Sequence, residues 1–148
     1  MRIKKFSLEN LTAMEKVTEI LARKQLHFKK ISPACTISDA LCRMSSQHTD
    51  YLIVMDDNEK FLGLLTEHDI ACKTIFANLS LTKTSVNEMM DTRLPIADVD
   101  DTVEECMKLM KRYHVRYLPV FNKLKFLGIV STDDILEEAI SHRAAIFD

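Results

Sequence analysis

One pattern occurs twice in this chain, and the repetition limits its possible folds more than any other feature. Phe61-Leu62-Gly63-Leu64-Leu65-Thr66-Glu67-His68-Asp69-Ile70 matches Phe126-Leu127-Gly128-Ile129-Val130-Ser131-Thr132-Asp133-Asp134-Ile135. Each stretch reads as an apolar strand, then Ser/Thr-x-x-Asp, then the start of a helix. The two glycines of the chain, Gly63 and Gly128, fall at the same place in both copies. Self-similarity on this scale makes each copy one supersecondary unit, completed by stacking on the other.

The motif carries chemistry as well as structure. A hydroxyl residue at the end of a strand caps the helix that follows. The first turn of that helix presents unpaired N–H groups and a positive dipole end, which suit an anion. Thr66 with Asp69, and Ser131 with Asp134, place a hydroxyl and a carboxylate on that turn. The carboxylate can accept from two ribose hydroxyls while the hydroxyl and the amides face phosphate. Ser/Thr-x-x-Asp is also the signature of a plain capping box. Two matching copies, each after Phe-Leu-Gly, favour a ligand role over the cap alone.

The whole-chain properties narrow the class. With 148 residues the chain is one domain or two small, intimately packed ones, able to bury about 70% of its unfolded surface. It is 47% hydrophobic and 28% charged, an ordinary globular balance. A net charge of -2 argues against a general nucleic-acid binder. No apolar run is long enough to span a membrane and none near Met1 resembles a signal-peptide core, so a cytoplasmic protein is expected. Cys35, Cys42, Cys72 and Cys106 form no C-x-x-C pair and the histidines no H-x-x-x-H pair. Reduced thiols and no metal site are the reading.

Residues 1–30 are locally basic, but Glu9, Glu15 and Glu19 interrupt the run. Leu8, Leu11, Val17 and Leu21 recur near helical spacing, which predicts a helical lead-in over 1–16. From residue 17 the copies align. Val17–Leu21 matches Val86–Met90, and Thr36-Ile37-Ser38-Asp39 matches Thr102-Val103-Glu104-Glu105, a second pair of capping boxes. Ile37, Ala40, Leu41, Met44 and His48 form one helical face, as do Val103, Cys106, Met107, Met110 and His114. These Met-rich stripes read as core. Tyr51–Met55 and Tyr117–Phe121 are strands followed by polar turns, 56–60 and 122–125, of hairpin length. Residues 79–85 read as a linker. The boundaries that follow are 17–83 for the first repeat, 84–143 for the second and 144–148 for a tail. Each repeat is β-α-β-β-α, and the fold class is α+β, two such repeats packed sheet to sheet as a pseudo-two-fold pair.

This pattern resembles the CBS domain (named after cystathionine β-synthase), in the tandem form called a Bateman module, of the short stand-alone bacterial type. The resemblance rests on the two Gly-to-Ile motifs and on Val115-Arg116-Tyr117-Leu118-Pro119-Val120, and it covers about residues 17–143. It implies a regulatory module that binds an adenosine nucleotide such as AMP, ADP, ATP or NAD, forms a homodimer and has no catalysis or catalytic cofactor of its own. The regulated protein is then a separate chain. By the same resemblance, the nucleotide-binding residues are Thr66, His68, Asp69, Arg93, Ile96, Ala97, Arg116, Ser131, Thr132 and Asp134. Ile96 and Ala97 serve the Asp69 cleft, and Lys30 and Ile31 the Asp134 cleft.

There are departures from the family pattern. His68 stands where many relatives carry arginine, Cys72 where another basic residue is frequent, and His48-Thr49-Asp50-Tyr51 where small residues are common. In the repeat alignment Arg116 takes the place of Asp50. The resemblance sets Arg116 beside the Asp69 cleft, with Arg93 as a second cation, and Asp50 beside the Asp134 cleft. A guanidinium grips phosphate through a fork of hydrogen bonds, whereas Asp50 repels it unless Mg²⁺ bridges the two. The Asp69 cleft is therefore expected to fill first.

Two other functions compete. A ligand-free dimerisation and interaction module would use both motifs as caps. An enzyme would need a pair such as His68 with Asp69, or Asp133 with Asp134, as acid and base. Neighbours at a helix start point in different directions, and no nucleophile–base–orienter set accompanies them.

Overall fold

A computed structural model describes residues 16–24 and 29–147, with side chains followed through Ile140. The expected lead-in helix over 1–16 lies outside the described residues, Lys16 apart. The elements in chain order are α1 (Val17–Arg23), β1 (Lys30–Ile31), α2 (Ile37–Gln47), β2 (Tyr51–Met55), β3 (Phe61–Thr66), α3 (Glu67–Ala77), α4 (Val86–Met89), β4 (Ala97–Asp98), α5 (Val103–Tyr113), β5 (Tyr117–Asn122), β6 (Lys125–Ser131) and α6 (Thr132–Phe147). The repeats and the α+β class stand as expected, with two three-stranded sheets of order β1-β2-β3 and β4-β5-β6.

Each sheet is built the same way. A short first strand pairs parallel with the second, Ile31 opposite Val54 and Ala97 opposite Val120. The parallel step needs a crossover helix, supplied by α2 and α5. The second and third strands form an antiparallel hairpin, with Tyr51 opposite Thr66 and Tyr117 opposite Ser131. In the first hairpin the Asp56 carboxylate accepts from the Asn58 and Lys60 amides at 2.9 Å each, an Asx-type turn that explains the polar loop. Leu64 and Leu65, neighbours on β3, are both buried. The strand is covered on both faces, which is why it reads as an apolar run without alternation.

Local signals start the helices. Thr36 and Thr102 form complete capping boxes with Asp39 and Glu105, and Ser85 with Glu88. The ends correct one expectation. His48 and His114 are exposed and adopt left-handed backbone, φ 52° and 53°. They terminate α2 and α5 and do not extend the apolar stripe. Their amides donate back to the Met44 and Met110 carbonyls, satisfying orphan groups of the last turn.

The chain divides into two units that do not coincide with the repeats. One spans His27–Leu94; the other joins the described N-terminal residues, 16–24, to the chain from Pro95 onward. In the second unit Val17 and Ile20 of α1 lie in a core with Val103, Cys106, Leu118 and Val130. In the first, Val86 and Met89 of α4 lie with Ile37, Ala40, Leu52 and Leu65. Each sheet is thus closed by the helix that the alignment assigns to the other repeat. The anchors match. The Val17 amide donates to Asp101 O at 3.1 Å and the Val86 amide to Cys35 O at 2.8 Å.

Residues 79–85 are more than a linker. Ile37 and Ser38, in the first turn of α2, donate to the carbonyls of Thr84 and Leu81 at 3.0 and 2.9 Å. Thr84 is buried and Leu81 packs on the core. The segment answers N–H groups that a helix start would otherwise leave open.

Candidate functional site

In the His27–Leu94 unit the motif begins where β3 ends. Thr66 caps α3, its hydroxyl accepting from the Asp69 amide at 3.1 Å. The reciprocal bond of a capping box, from the Thr66 amide to the Asp69 carboxylate, is not formed among the described residues. Asp69 is half-buried, and among the described residues no donor is paired with its carboxylate. Glu67 and His68 are exposed, and His68 Nε2 lies 3.6 Å from Cys72 Sγ one turn on. The Glu67 amide donates to Asp50 O at 2.8 Å, which ties the residue before β2 to the helix start.

A close approach fixes the position of Gly63. Leu64 exchanges backbone bonds with Asp91, 3.0 Å from its amide and 2.8 Å to its carbonyl. A Cβ on Gly63 would come within 2.6 Å of Asp91 O, so only glycine lets the strand meet this segment. Arg93 follows two residues later. It is exposed, its amide donates to Asp91 Oδ1 at 2.9 Å, and among the described residues it forms no ion pair with Asp69.

The second motif differs. Ser131 is buried, and its hydroxyl accepts from the Asp134 amide at 3.1 Å. Its own amide donates to Asp134 Oδ2 at 2.8 Å, which completes the capping box. Lys24, just past the end of α1, places Nζ 2.7 Å from the same Oδ2 and donates to Ile129 O at 2.6 Å. The neighbouring Arg23 pairs with Glu138, one turn beyond Asp134. Thr132 is exposed. Its amide and hydroxyl donate to Arg116 O at 2.9 and 3.3 Å, the counterpart of the Glu67–Asp50 bond. The Arg116 side chain is exposed.

The predicted residues thus fall into two groups. Thr66, His68 and Asp69 share one helical turn in the first unit, which also carries Arg93. Arg116, Ser131, Thr132 and Asp134 meet in the second unit. Ile96 and Ala97 enter β4 in the same unit, Ile96 56% exposed and Ala97 fully buried. A buried Ala97 has no side-chain surface to offer within its own unit. In the first unit, Ile31 is buried in the core and Lys30 pairs with Glu59 at 3.3 Å.

The sequence reading missed Lys24. A signal was available: the register that aligns Val17 with Val86 also aligns Lys24 with Arg93. The same logic links Lys73 and Glu138, on the register that aligns Thr66 with Ser131. Lys73 donates to Met89 O at 2.6 Å, and Glu138 holds Arg23. Both side chains therefore tether the helix that closes their own sheet.

The CBS domain profile matches residues 17–73 and 86–141. The chain belongs to the CBS domain family. A CBS-domain crystal structure superposes with a TM-score of 0.78 at 32% identity, covering 86% of this chain and 99% of that one. The CBS domain-containing protein YhcV of Bacillus subtilis is 30% identical over 78% of this chain and 81% of its own length. The CBS domain pair of protein MJ0100, in complex with 5′-methylthioadenosine and S-adenosyl-L-methionine, superposes with a TM-score of 0.69 at 22% identity, covering 83% of this chain and 94% of that one. The CBS proteins of Arabidopsis thaliana that it matches are much longer, and the chain spans about 20% of their length.

Proposed function

We propose that this CBS pair is a regulatory module that binds an adenosine nucleotide (AMP, ADP, ATP or NAD) at the Thr66-x-x-Asp69 motif and signals to a separate protein without catalysis. The observation that carries the reading is the state of Asp69. Its half-buried carboxylate sits at a capped helix start with no donor paired to it among the described residues, as an acceptor for ribose hydroxyls requires. The adenosine ligands of the MJ0100 pair support the ligand class. In this proposal Arg93, exposed in the same unit, supplies a cation for phosphate, with Mg²⁺ as a further bridge. A homodimer is part of the reading: Ile75 and Phe76 on α3, and Leu136 and Ile140 on α6, are 74%, 86%, 55% and 67% exposed. Large apolar side chains in such groups mark association surfaces.

The test is a melting series with AMP, ADP, ATP and NAD, alongside mass spectrometry of small molecules released from purified, denatured protein. A ligand at a hundred times its Kd should raise stability by about 2.7 kcal/mol. No shift with any nucleotide and no released adenosine compound would remove the reading and leave a ligand-free dimerisation module. The satisfied Ser131-x-x-Asp134 cap favours that alternative for its own motif.

A further inference from the structure

We infer that Lys24 is a built-in occupant of the second motif, holding the Asp134 carboxylate so that a nucleotide cannot take its place. The inference rests on the proposed ribose role of these carboxylates. Asp134 Oδ2 already accepts from the Ser131 amide at 2.8 Å and faces Lys24 Nζ at 2.7 Å. The same ammonium donates to Ile129 O at 2.6 Å, on the strand that leads into the motif. Lys24 therefore spans the two sides of the strand-to-helix junction and offers its donors where a ribose would offer hydroxyls.

The contact is built in. The side chains of Lys24 and Asp134 are 28% and 16% exposed, so water screens the pair only in part. Arg23 holds Glu138, which is itself buried, and this second pair fixes the direction from which Lys24 arrives. Both cations lie at the C-terminal end of α1, where the helix dipole favours positive charge. Among the described residues the first motif lacks this device. Arg93, the counterpart of Lys24, is exposed, and the carbonyl corresponding to Ile129 O, that of Leu64, accepts from the Asp91 amide. The backbone bridge satisfies there only the carbonyl that Lys24 satisfies in the other unit, and among the described residues nothing pairs with the Asp69 carboxylate.

Calorimetric titration of the full chain with AMP tests the inference, with melting curves to show that each variant is folded. The wild type should bind one AMP per chain and Lys24→Met two, with affinity at the second motif raised at least tenfold. Lys24→Arg, which keeps the charge, should stay at one. Asp69→Ala should bind none over the same concentration range, and Asp69→Ala combined with Lys24→Met should bind one. Two sites in the wild type, one site in both the wild type and Lys24→Met, or weaker binding in Lys24→Met would overturn the inference; the last result would make Lys24 a ligand contact. If the wild type binds nothing but Lys24→Met gains a site, the role of Lys24 holds and the Asp69 reading fails. No binding by any variant overturns both.

Discussion

The Thr66-x-x-Asp69 and Ser131-x-x-Asp134 motifs share a pattern, a hydroxyl cap and a place at the end of the third strand, but their carboxylates are in opposite states. Asp69 receives nothing from the described residues around it, whereas Asp134 closes a capping box and an ion pair. The difference arises far from either motif in sequence. In one unit the closing helix α4 leads into a backbone bridge between Asp91 and Leu64; in the other, α1 ends in Arg23 and Lys24, whose side chains reach α6. The element packed beside each motif thus decides whether its carboxylate is held internally.

The largest expected effect tests the packing behind that contrast. Ile20 on α1 and Met89 on α4 are 3% and 0% exposed, in the cores of different units. Truncating either to alanine should cost about 2–5 kcal/mol in denaturant unfolding. Native-state hydrogen exchange tells where the cost falls. Ile20→Ala should speed exchange in β5 and β6 more than in β2 and β3, and Met89→Ala the reverse. The opposite pattern would return each helix to its own repeat and remove the asymmetry.

A second, smaller effect separates the carboxylates directly. Asp69→Ala should leave the melting curve within about 0.5 kcal/mol of wild type, because it breaks no side-chain pairing among the described residues. It should weaken AMP binding by roughly 1.5–3 kcal/mol, the scale of a hydrogen bond to a charged group. Asp134→Ala should do the converse, losing about 1–2 kcal/mol of stability with its cap and its lysine partner while AMP affinity is kept. Similar losses in both measurements for both variants would make the two motifs equivalent.

Much of this was legible in the sequence because it is local. The capping boxes at Thr36, Ser85 and Thr102 depend on residues three apart, the hairpins on short polar turns, and the repeats on self-similarity. Three features were not. The spacing that joins Met44 to His48 is the same whether the helix continues or ends, and only the left-handed backbone at His48 shows that it ends. Residues 79–85 have the composition of a linker, yet their carbonyls answer the first turn of α2. The exchange of α1 and α4 between sheets is a long-range choice between two similar apolar faces, and no local signal distinguishes them. Lys24 inherits that ambiguity: its role follows from where α1 packs.

The smallest expected effect contrasts the two cores. On the register that aligns Thr36 with Thr102, Ala40 in one unit corresponds to Cys106 in the other. Both are fully buried. Burial, with smaller contributions from Asp101 and Glu105, pushes the Cys106 thiol up from 9.0 to about 12. Well below pH 9 both the folded and the unfolded chain hold this proton, so the thiol makes no pH-dependent contribution there. Between pH 9 and 12 the unfolded chain releases it and the native chain keeps it, so stability falls as pH rises. The slope for one such group is about 1.4 kcal/mol per pH unit. Urea unfolding at pH 8, 9 and 10 should show this loss in the wild type but not in Cys106→Ala, which makes the second core resemble the first at this position. Cys35, Cys42 and Cys72 are common to both proteins and cancel in the difference. Parallel curves for the two proteins above pH 9 would mean that the Cys106 thiol ionises as readily in the folded chain as in the unfolded one. The two cores would then respond alike to alkali.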